Sequence, residues 1–153
     1  HIDSHTVSRE SYEGETLSHS TPFRKVCDLI GPEYGYSFGI RSGSKEEFEW
    51  AKEVGMNLYK FDVLEPLKEV LPKLAGRPVY VTIDIDVLDL AHAPGTGTVE
   101  AGGITYQELL DPIVAIENSY INVVGADLAD LAPVYDQSEQ TPVAASKFVR
   151  ELL

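Results

Sequence analysis

At its centre the chain reads VYVTIDIDVLD, residues 79–89. The first half of this stretch is almost continuously apolar and β-branched, which is typical of a central parallel strand that is covered on both faces. Asp84, Asp86 and Asp89 follow at the carboxyl end of the predicted strand. In open α/β sheets, ligands bind outside the carboxyl ends of the strands. The stretch therefore predicts a parallel α/β fold with a functional site at one edge of its sheet.

A second polar cluster, HIDSHTV, occupies residues 1–7. Asp3 and His5 are two residues apart, as are Asp84 and Asp86, so in extended backbone each pair points to one side. Such groups at the ends of apolar strands carry a severe desolvation cost unless a cation balances them. Carboxylates with one imidazole suit Mn²⁺ or Zn²⁺. The pattern predicts a metal site of Asp3, His5, Asp84 and Asp86, with Asp3 and Asp84 as candidate bridges between two ions that activate a water.

Outward from these clusters, short apolar runs alternate with longer amphipathic stretches, as expected of βαβ units. Strands are predicted at 1–4, 34–40, 57–61, 79–85 and 121–126, and helices near 22–30, 44–55, 63–75, 105–118 and 139–153. Ser44 and Thr105 have the spacing of capping boxes, and Thr21 is predicted to cap a helix that starts with Pro22.

Length and composition favour one domain with a real core, since 43% of the 153 residues are hydrophobic. No apolar run approaches the ~20 residues of a membrane helix, and no signal-peptide pattern opens the chain. We therefore expect a cytoplasmic protein without membrane association. The single cysteine, Cys27, is interpreted as a packed core thiol.

The chain is strongly acidic, with 25 acidic and 12 basic residues and a formal charge of −13. This balance disfavours nucleic acid and favours a small cationic partner. Most of the charge is interpreted as solvated helix faces, such as Glu46, Glu47, Glu49 and Glu53.

Two further residues are candidates for contact with a substrate. His19 lies in a polar loop before a helix, where it could relay a proton to a leaving amine or merely hold the loop. Asp130 follows the predicted strand 121–126 and could clamp a guanidinium or ammonium group. Asp127 competes for that role, and either aspartate could instead cap the turn.

Several motifs together resemble the ureohydrolases, the family of arginases and agmatinases. They are HIDSHT (1–6), YEGE (12–15), SHSTP (18–22), FGIR (38–41), TIDIDVLD (82–89), APGTGT (93–98) and APVYD (132–136). The resemblance implies an arginase-like, three-layer α/β/α fold with a mainly parallel sheet. It also implies that residues 1–153 are the C-terminal portion of a single catalytic domain whose N-terminal part is missing.

The resemblance further implies a reaction, in which two manganese ions promote hydrolysis of agmatine to putrescine and urea for polyamine biosynthesis. It implies that Asp3 and Asp84 bridge the ions, His5 and Asp86 complete one site, His19 relays the proton and Asp130 binds the guanidinium. The expected partners are a small cationic guanidino substrate and further copies of the chain in a homo-oligomer.

Several positions depart from the family pattern, among them Ser20 and Leu90, and two others bear on the site. Val7 stands where the family has an aspartate ligand, and Asp130 replaces a glutamate. One manganese site is therefore expected to be degraded and the activity impaired. The first alternative is a non-catalytic, degenerate fragment that keeps one metal site. The second is a deacetylase-like amidohydrolase with a single zinc.

Overall fold

The computed structural model of the chain describes residues 1–152. Helices and strands alternate along it in the order α1 Pro22–Ile30, β1 Tyr36–Ile40, α2 Lys45–Val54, β2 Asn57–Lys60, α3 Leu64–Val70, β3 Pro78–Asp84, α4 Tyr106–Glu117, β4 Asn122–Ala129 and α5 Gln140–Leu152. Short 3₁₀ turns lie at Pro32–Tyr34, Leu71–Leu74, Ile85–Val87 and Pro133–Tyr135. None of the helices in this part of the chain combines the length and apolar character that crossing a membrane requires.

The N-terminal segment, residues 1–5, joins two halves of the sheet. β1 pairs with β2 and β3 pairs with β4, both in parallel. Ile2 forms parallel bridges to Phe38 of β1 and to Ile83 of β3. Its carbonyl accepts a hydrogen bond of 2.8 Å from the Asp84 N–H. The strand order is therefore β2, β1, N-terminal segment, β3, β4, which confirms the predicted parallel α/β sheet.

Helices cover both faces of this sheet. A larger core cluster combines strand residues such as Ile83 with side chains of α3, α4 and α5, and a smaller cluster combines side chains of α1 and α2. On β2, Tyr59 packs against the larger cluster and its neighbour Leu58 against the smaller one. Because successive strand residues point to opposite faces, the two clusters are the two sides of a three-layer α/β/α fold. Cys27 is buried in the smaller cluster, as predicted.

Gly39 marks an irregularity in β1 beside the N-terminal segment. The pairing of β1 with β2 shifts register between Ser37 and Ile40, and Gly39 has a φ of 82°. A Cβ atom there would lie 2.7 Å from Val87 Cγ2 and 3.2 Å from the Asp3 carbonyl oxygen. Glycine is required at this point because it alone fits both the backbone conformation and the close approach.

The predicted capping boxes of α2 and α4 are both present. Thr21 occupies the N-cap position before Pro22 as predicted, but its side chain makes no capping hydrogen bond. The Thr21 hydroxyl donates to the Thr16 carbonyl at 3.0 Å and accepts from the Ser18 N–H at 3.1 Å. Thr21 therefore holds the loop before α1 instead of capping the helix.

Two elements differ in length from their predictions. The helix expected over 63–75 ends as α3 at Val70 and continues as a 3₁₀ turn. Pro72 explains this end, because proline has no N–H to donate to the carbonyl four residues earlier. The strand expected over 121–126 continues to Ala129, so Asp127 lies within β4 and Asp130 comes directly after it.

β4 is the most exposed of the strands. Within residues 1–152 it pairs with β3 alone. Val123 and Val124 of β4 are 44% and 61% exposed. β4 is thus an edge strand that presents apolar side chains to solvent.

Candidate functional site

The two aspartate-rich stretches lie side by side at one end of the sheet. Asp3 follows the bridge that joins Ile2 to Ile83, and Asp84 is the last residue of β3. The backbone then turns, and Asp84 accepts a hydrogen bond of 2.9 Å from the Asp86 N–H. The prediction that Asp84 and Asp86 share one extended strand is therefore wrong. The 3₁₀ turn nevertheless directs Asp86 back into the site.

The predicted metal ligands form two overlapping groups. Asp3, His5 and Asp86 offer ligand atoms that lie within 4.8 Å of one another, and so do Asp84, Asp86 and Asp130. His5 Nδ1 is 2.8 Å from Asp86 Oδ2 and 3.7 Å from Asp3 Oδ1. Asp86 belongs to both groups, whereas the sequence analysis gave the shared positions to Asp3 and Asp84. All four predicted ligands are nevertheless brought to one place.

The carboxylate of Asp3 is contacted by His1, a residue that was not predicted to contribute to the site. His1 Nε2 lies 2.9 Å from Asp3 Oδ2, and His1 Nδ1 lies 2.9 Å from Ser37 Oγ. The His1 ring stacks on Phe23 with 4.4 Å between ring centroids. A partner of this kind orients a carboxylate ligand. The signal was present in the sequence, because His1 continues the two-residue spacing of Asp3 and His5.

The pKa values of Asp3, His5 and Asp84 are shifted in different directions by their surroundings. Burial raises the pKa of Asp3, but hydrogen bonds with His1 and His5 outweigh burial and hold that pKa well below its usual range. Burial lowers the pKa of His5, but hydrogen bonds to Asp3 and Asp86 raise it to about 10. Burial, followed by the charges of Asp3 and Asp86, raises the pKa of Asp84 well above its usual range. In the absence of a cation, both raised pKa values favour the protonated forms of His5 and Asp84 at neutral pH.

This donor set fits a hard divalent cation. Asp3 and Asp86 are 2% and 1% exposed, and both contact the same imidazole of His5. One imidazolium cannot balance the two buried carboxylates of Asp3 and Asp86, whereas a divalent cation can. Oxygen ligands with one nitrogen suit Mn²⁺ or Zn²⁺, and a bound cation would displace the protons on His5 and Asp84.

The raised pKa values of His5 and Asp84 predict how the free energy of unfolding depends on pH when EDTA keeps the chain free of cations. His5 and Asp84 have raised pKa values in the folded state, so between about pH 5 and pH 8 the folded chain holds more protons than the unfolded chain. Their stabilisation is complete below the unfolded pKa values and is lost as the pH rises. The free energy of unfolding, measured with urea, is therefore expected to fall over this range. Asp84→Asn should flatten the slope, and Asp28→Asn on α1 should not. A free energy of unfolding that rises with pH would contradict the assignment.

Val7 lies beside the site with a strained backbone. Its φ is 38°, which is a genuine outlier for a β-branched residue. The flanking residues are fixed by Glu47, which accepts from Thr6 Oγ1 at 2.6 Å and from the Ser8 N–H at 2.9 Å. Burial raises the pKa of Glu47, but these hydrogen bonds hold it below its usual value. Glu47 is only 5% exposed, so the prediction that it belongs to a solvated face is wrong.

A cavity of about 350 Å³ opens beside the acidic groups. His5 and Asp84 line it together with His19 and Asp130, the two residues that were predicted to contact a substrate. His19 is exposed, and its ring meets Tyr12 edge-on with 5.0 Å between centroids. The structure thus brings the predicted ligands and the predicted substrate residues to one cavity.

Asp130 is better placed than Asp127 to contact a ligand in this cavity. Asp127 lies within β4 and accepts a hydrogen bond of 2.8 Å from Thr82 Oγ1. Asp130 lines the cavity and is steadied by the Gly97 N–H, which donates to Oδ2 at 3.0 Å. Burial, followed by the charge of Asp86, raises the pKa of Asp130.

Arg41, from the FGIR motif, ties the loop after β3 to the site. Its guanidinium donates at 2.8–3.3 Å to five backbone carbonyls, those of Asp86, Val87, Leu88, Glu100 and Ala101. Its backbone N–H donates to the Ser4 carbonyl at 2.8 Å. Arg41 therefore connects the N-terminal segment, the turn that carries Asp86 and the loop near residue 100.

Comparison with known proteins gives consistent results. The sequence matches the arginase family over residues 1–153. It is 86% identical over 153 residues to an agmatinase of Bacillus cereus, covering all of this chain and 53% of that protein. The proclavaminate amidino hydrolase of Streptomyces clavuligerus superimposes with a TM-score of 0.89 at 31% identity, over 99% of this chain and 53% of that one. The agmatine ureohydrolase of Thermoplasma volcanium superimposes with a TM-score of 0.85 at 31% identity, over 99% of this chain and 52% of that one. The chain thus spans about half the length of the relatives it matches.

Proposed function

Because the chain belongs to the arginase family, we propose that it carries the metal-binding part of an agmatinase-type ureohydrolase. The observation that carries this proposal is the pair of overlapping ligand groups beside a cavity that His19 and Asp130 also line. The reaction class is hydrolysis of a C–N bond in a linear amidine. The proposed substrate is agmatine, and the products are putrescine and urea.

In this proposal Asp3, His5, Asp84 and Asp86 hold Mn²⁺. The bound ions would supply an acidified water for attack on the guanidinium carbon. The buried carboxylates would hold the ions in defined positions, because their own hydrogen bonds fix them, as His1 fixes Asp3. His5 contributes the one nitrogen ligand through Nδ1, the ring atom that faces Asp86.

The remaining cavity residues would handle the substrate. Asp130 would accept hydrogen bonds from the guanidinium and fix its plane against the ligand groups. His19 would pass a proton to the amine nitrogen as the C–N bond breaks. The net charge of −13 favours the approach of a cationic substrate.

We further propose that the activity of this chain is impaired. Val7 offers no donor atom at the position where the family resemblance implies an aspartate ligand. The second ion would therefore be bound more weakly. Residues 1–153 would form the C-terminal portion of the catalytic domain. The intact protein would be a cytoplasmic homo-oligomer that acts in polyamine biosynthesis.

Val7 also favours one alternative, a degenerate fragment that binds a single ion without catalysis. The group of Asp3, His5 and Asp86 suffices for one ion without any contribution from position 7. A deacetylase-like site with one zinc is a weaker alternative, because the chain is 86% identical to an agmatinase over its whole length.

A chimeric enzyme would distinguish the agmatinase activity from the two alternatives. The 153 residues would replace the matching stretch of the Bacillus cereus agmatinase, to which they are 86% identical. We expect weak urea release from agmatine with Mn²⁺, and an increase of more than about 100-fold on Val7→Asp, because a direct ligand outweighs the 10–100-fold effect of an outer partner. Aspartate also tolerates the left-handed backbone at position 7 better than valine does.

Val7→Asn is the matched control for relief of backbone strain, since asparagine accepts the same φ without adding a charge. It is expected to stabilise the fold and to restore little activity. If the Val7→Asp chimera binds two Mn²⁺ ions and still releases no urea, the assignment of agmatine as substrate is wrong. If it binds one ion only, the degenerate alternative is correct.

A further inference from the structure

We propose that Glu100 is a positioning residue that holds the Nε2 edge of His5, so that Nδ1 is kept for a cation. This inference rests on the metal site proposed above. Glu100 itself was not among the site residues predicted from the sequence.

The two ring nitrogens of His5 face different surroundings. Nδ1 points into the ligand group, 2.8 Å from Asp86 Oδ2 and 2.7 Å from Ser4 Oγ. Nε2 points the other way, and Glu100 Oε1 lies 3.6 Å from it. A histidine that binds a metal through one nitrogen commonly directs the other N–H at a carboxylate. Glu100 is placed for that role, because it is an acidic group on the side of the ring away from the ligands.

The backbone that carries Glu100 is fixed from two sides. Arg41 Nη2 donates to the Glu100 carbonyl at 2.8 Å. Asp89 Oδ2 accepts from the N–H groups of Gly102 and Gly103 at 2.8 and 3.1 Å. The backbone on either side of the Glu100 side chain is thus fixed before a cation binds. The Glu100 side chain remains 38% exposed, so its charge keeps part of its hydration.

Such a partner has a definite chemical effect on His5. A neutral imidazole carries one proton, which can sit on either nitrogen. When a cation replaces the proton on Nδ1, the remaining proton of His5 lies on Nε2, where the carboxylate of Glu100 stabilises it. Without the carboxylate, Nε2 loses this partner, and the ring can rotate so that Nε2 instead of Nδ1 faces the cation.

The test uses the complete 153-residue chain with Mn²⁺ and Zn²⁺ as probes. Calorimetry with Mn²⁺ would be run on the unsubstituted chain, Glu100→Ala, Glu100→Gln and the control Glu117→Gln, which removes a charge from an exposed position of α4. We expect a 10–100-fold loss of affinity for Glu100→Ala, by analogy with other outer partners of metal ligands. A smaller loss is expected for Glu100→Gln, whose amide oxygen still accepts a hydrogen bond, and no change for Glu117→Gln.

A second readout does not depend on affinity. Nitrogen NMR of histidine-labelled chain with Zn²⁺ reports which ring nitrogen of His5 binds the ion. We expect Nδ1 alone in the unsubstituted chain and both nitrogens in Glu100→Ala. Unchanged Mn²⁺ affinity and an unchanged pattern in Glu100→Ala would overturn the role of Glu100 while leaving the metal site standing. Failure of the unsubstituted chain to bind either ion would overturn the metal site, and the role of Glu100 with it.

Discussion

Replacing Asp86 by asparagine will weaken Mn²⁺ binding by more than about 100-fold, a loss of about 2.7 kcal/mol. Asp86 is the residue common to both ligand groups, so the substitution removes one charge from each group. It also removes the charged partner of His5 Nδ1 at 2.8 Å. Asparagine keeps an oxygen that can accept from the Ser4 N–H, so the fold should survive. Calorimetry with Mn²⁺ measures the loss, and circular dichroism checks the fold.

Asp127→Asn is the matched control for this substitution. Asp127 lies on the neighbouring strand, and the change of charge is identical, but its side chain bonds to Thr82 on the sheet and belongs to neither ligand group. We expect it to alter Mn²⁺ affinity by less than about threefold, since exposed charges act weakly at a distance. Equal losses for both variants would mean that only the general negative field attracts the ion.

Replacing Arg41 by methionine will destabilise the chain by roughly 3–5 kcal/mol, because hydrogen bonds to a charged group contribute about 1.5–3 kcal/mol each and are not additive. The substitution leaves five backbone carbonyls without their donor. In a domain of this size, such a loss lowers Tm by roughly 10 °C. Urea and thermal unfolding in EDTA measure the effect apart from metal binding.

Arg24→Met on α1 is the matched control, since Arg24 is half-buried and stacks over Trp50 at 4.6 Å, away from the loop that Arg41 holds. It is expected to cost less than about 1 kcal/mol. Arg41→Lys should recover only part of the stability, because one ammonium cannot reach carbonyls on two segments. A loss for Arg41→Met no larger than that for Arg24→Met would show that the loop is held by other contacts.

The order of strands and helices was predictable from local pattern. Apolar runs located the strands, and the Ser/Thr-x-x-Glu spacing located the starts of α2 and α4. Errors arose where one residue changed the local geometry. Pro72 ended α3 early. The Thr21 hydroxyl accepts from the Ser18 N–H of its own loop instead of from an N–H of the helix.

The ligands of the candidate site were predictable for a different reason. Carboxyl ends of parallel strands meet at one edge, so Asp3 and Asp84 had to be neighbours once the sheet was inferred. The supporting residues were not predictable, because their contacts join distant segments. Glu47 lies 39 residues from Ser8 in the sequence, and Arg41 lies 59 residues from Glu100. The backbone strain at Val7 has no signature in sequence at all.

Because β4 pairs only with β3 within residues 1–152, self-association of the chain through this edge is expected to depend on ionic strength. Its outer backbone groups and the exposed Val123 and Val124 form a template on which a second copy can pair. At 0.01 M salt the screening length is about 30 Å, and the charge of −13 keeps copies apart. At 1 M salt that length falls to about 3 Å. We therefore expect single chains in dilute buffer and pairing of β4 edges in concentrated salt, which sedimentation at the two salt concentrations would measure.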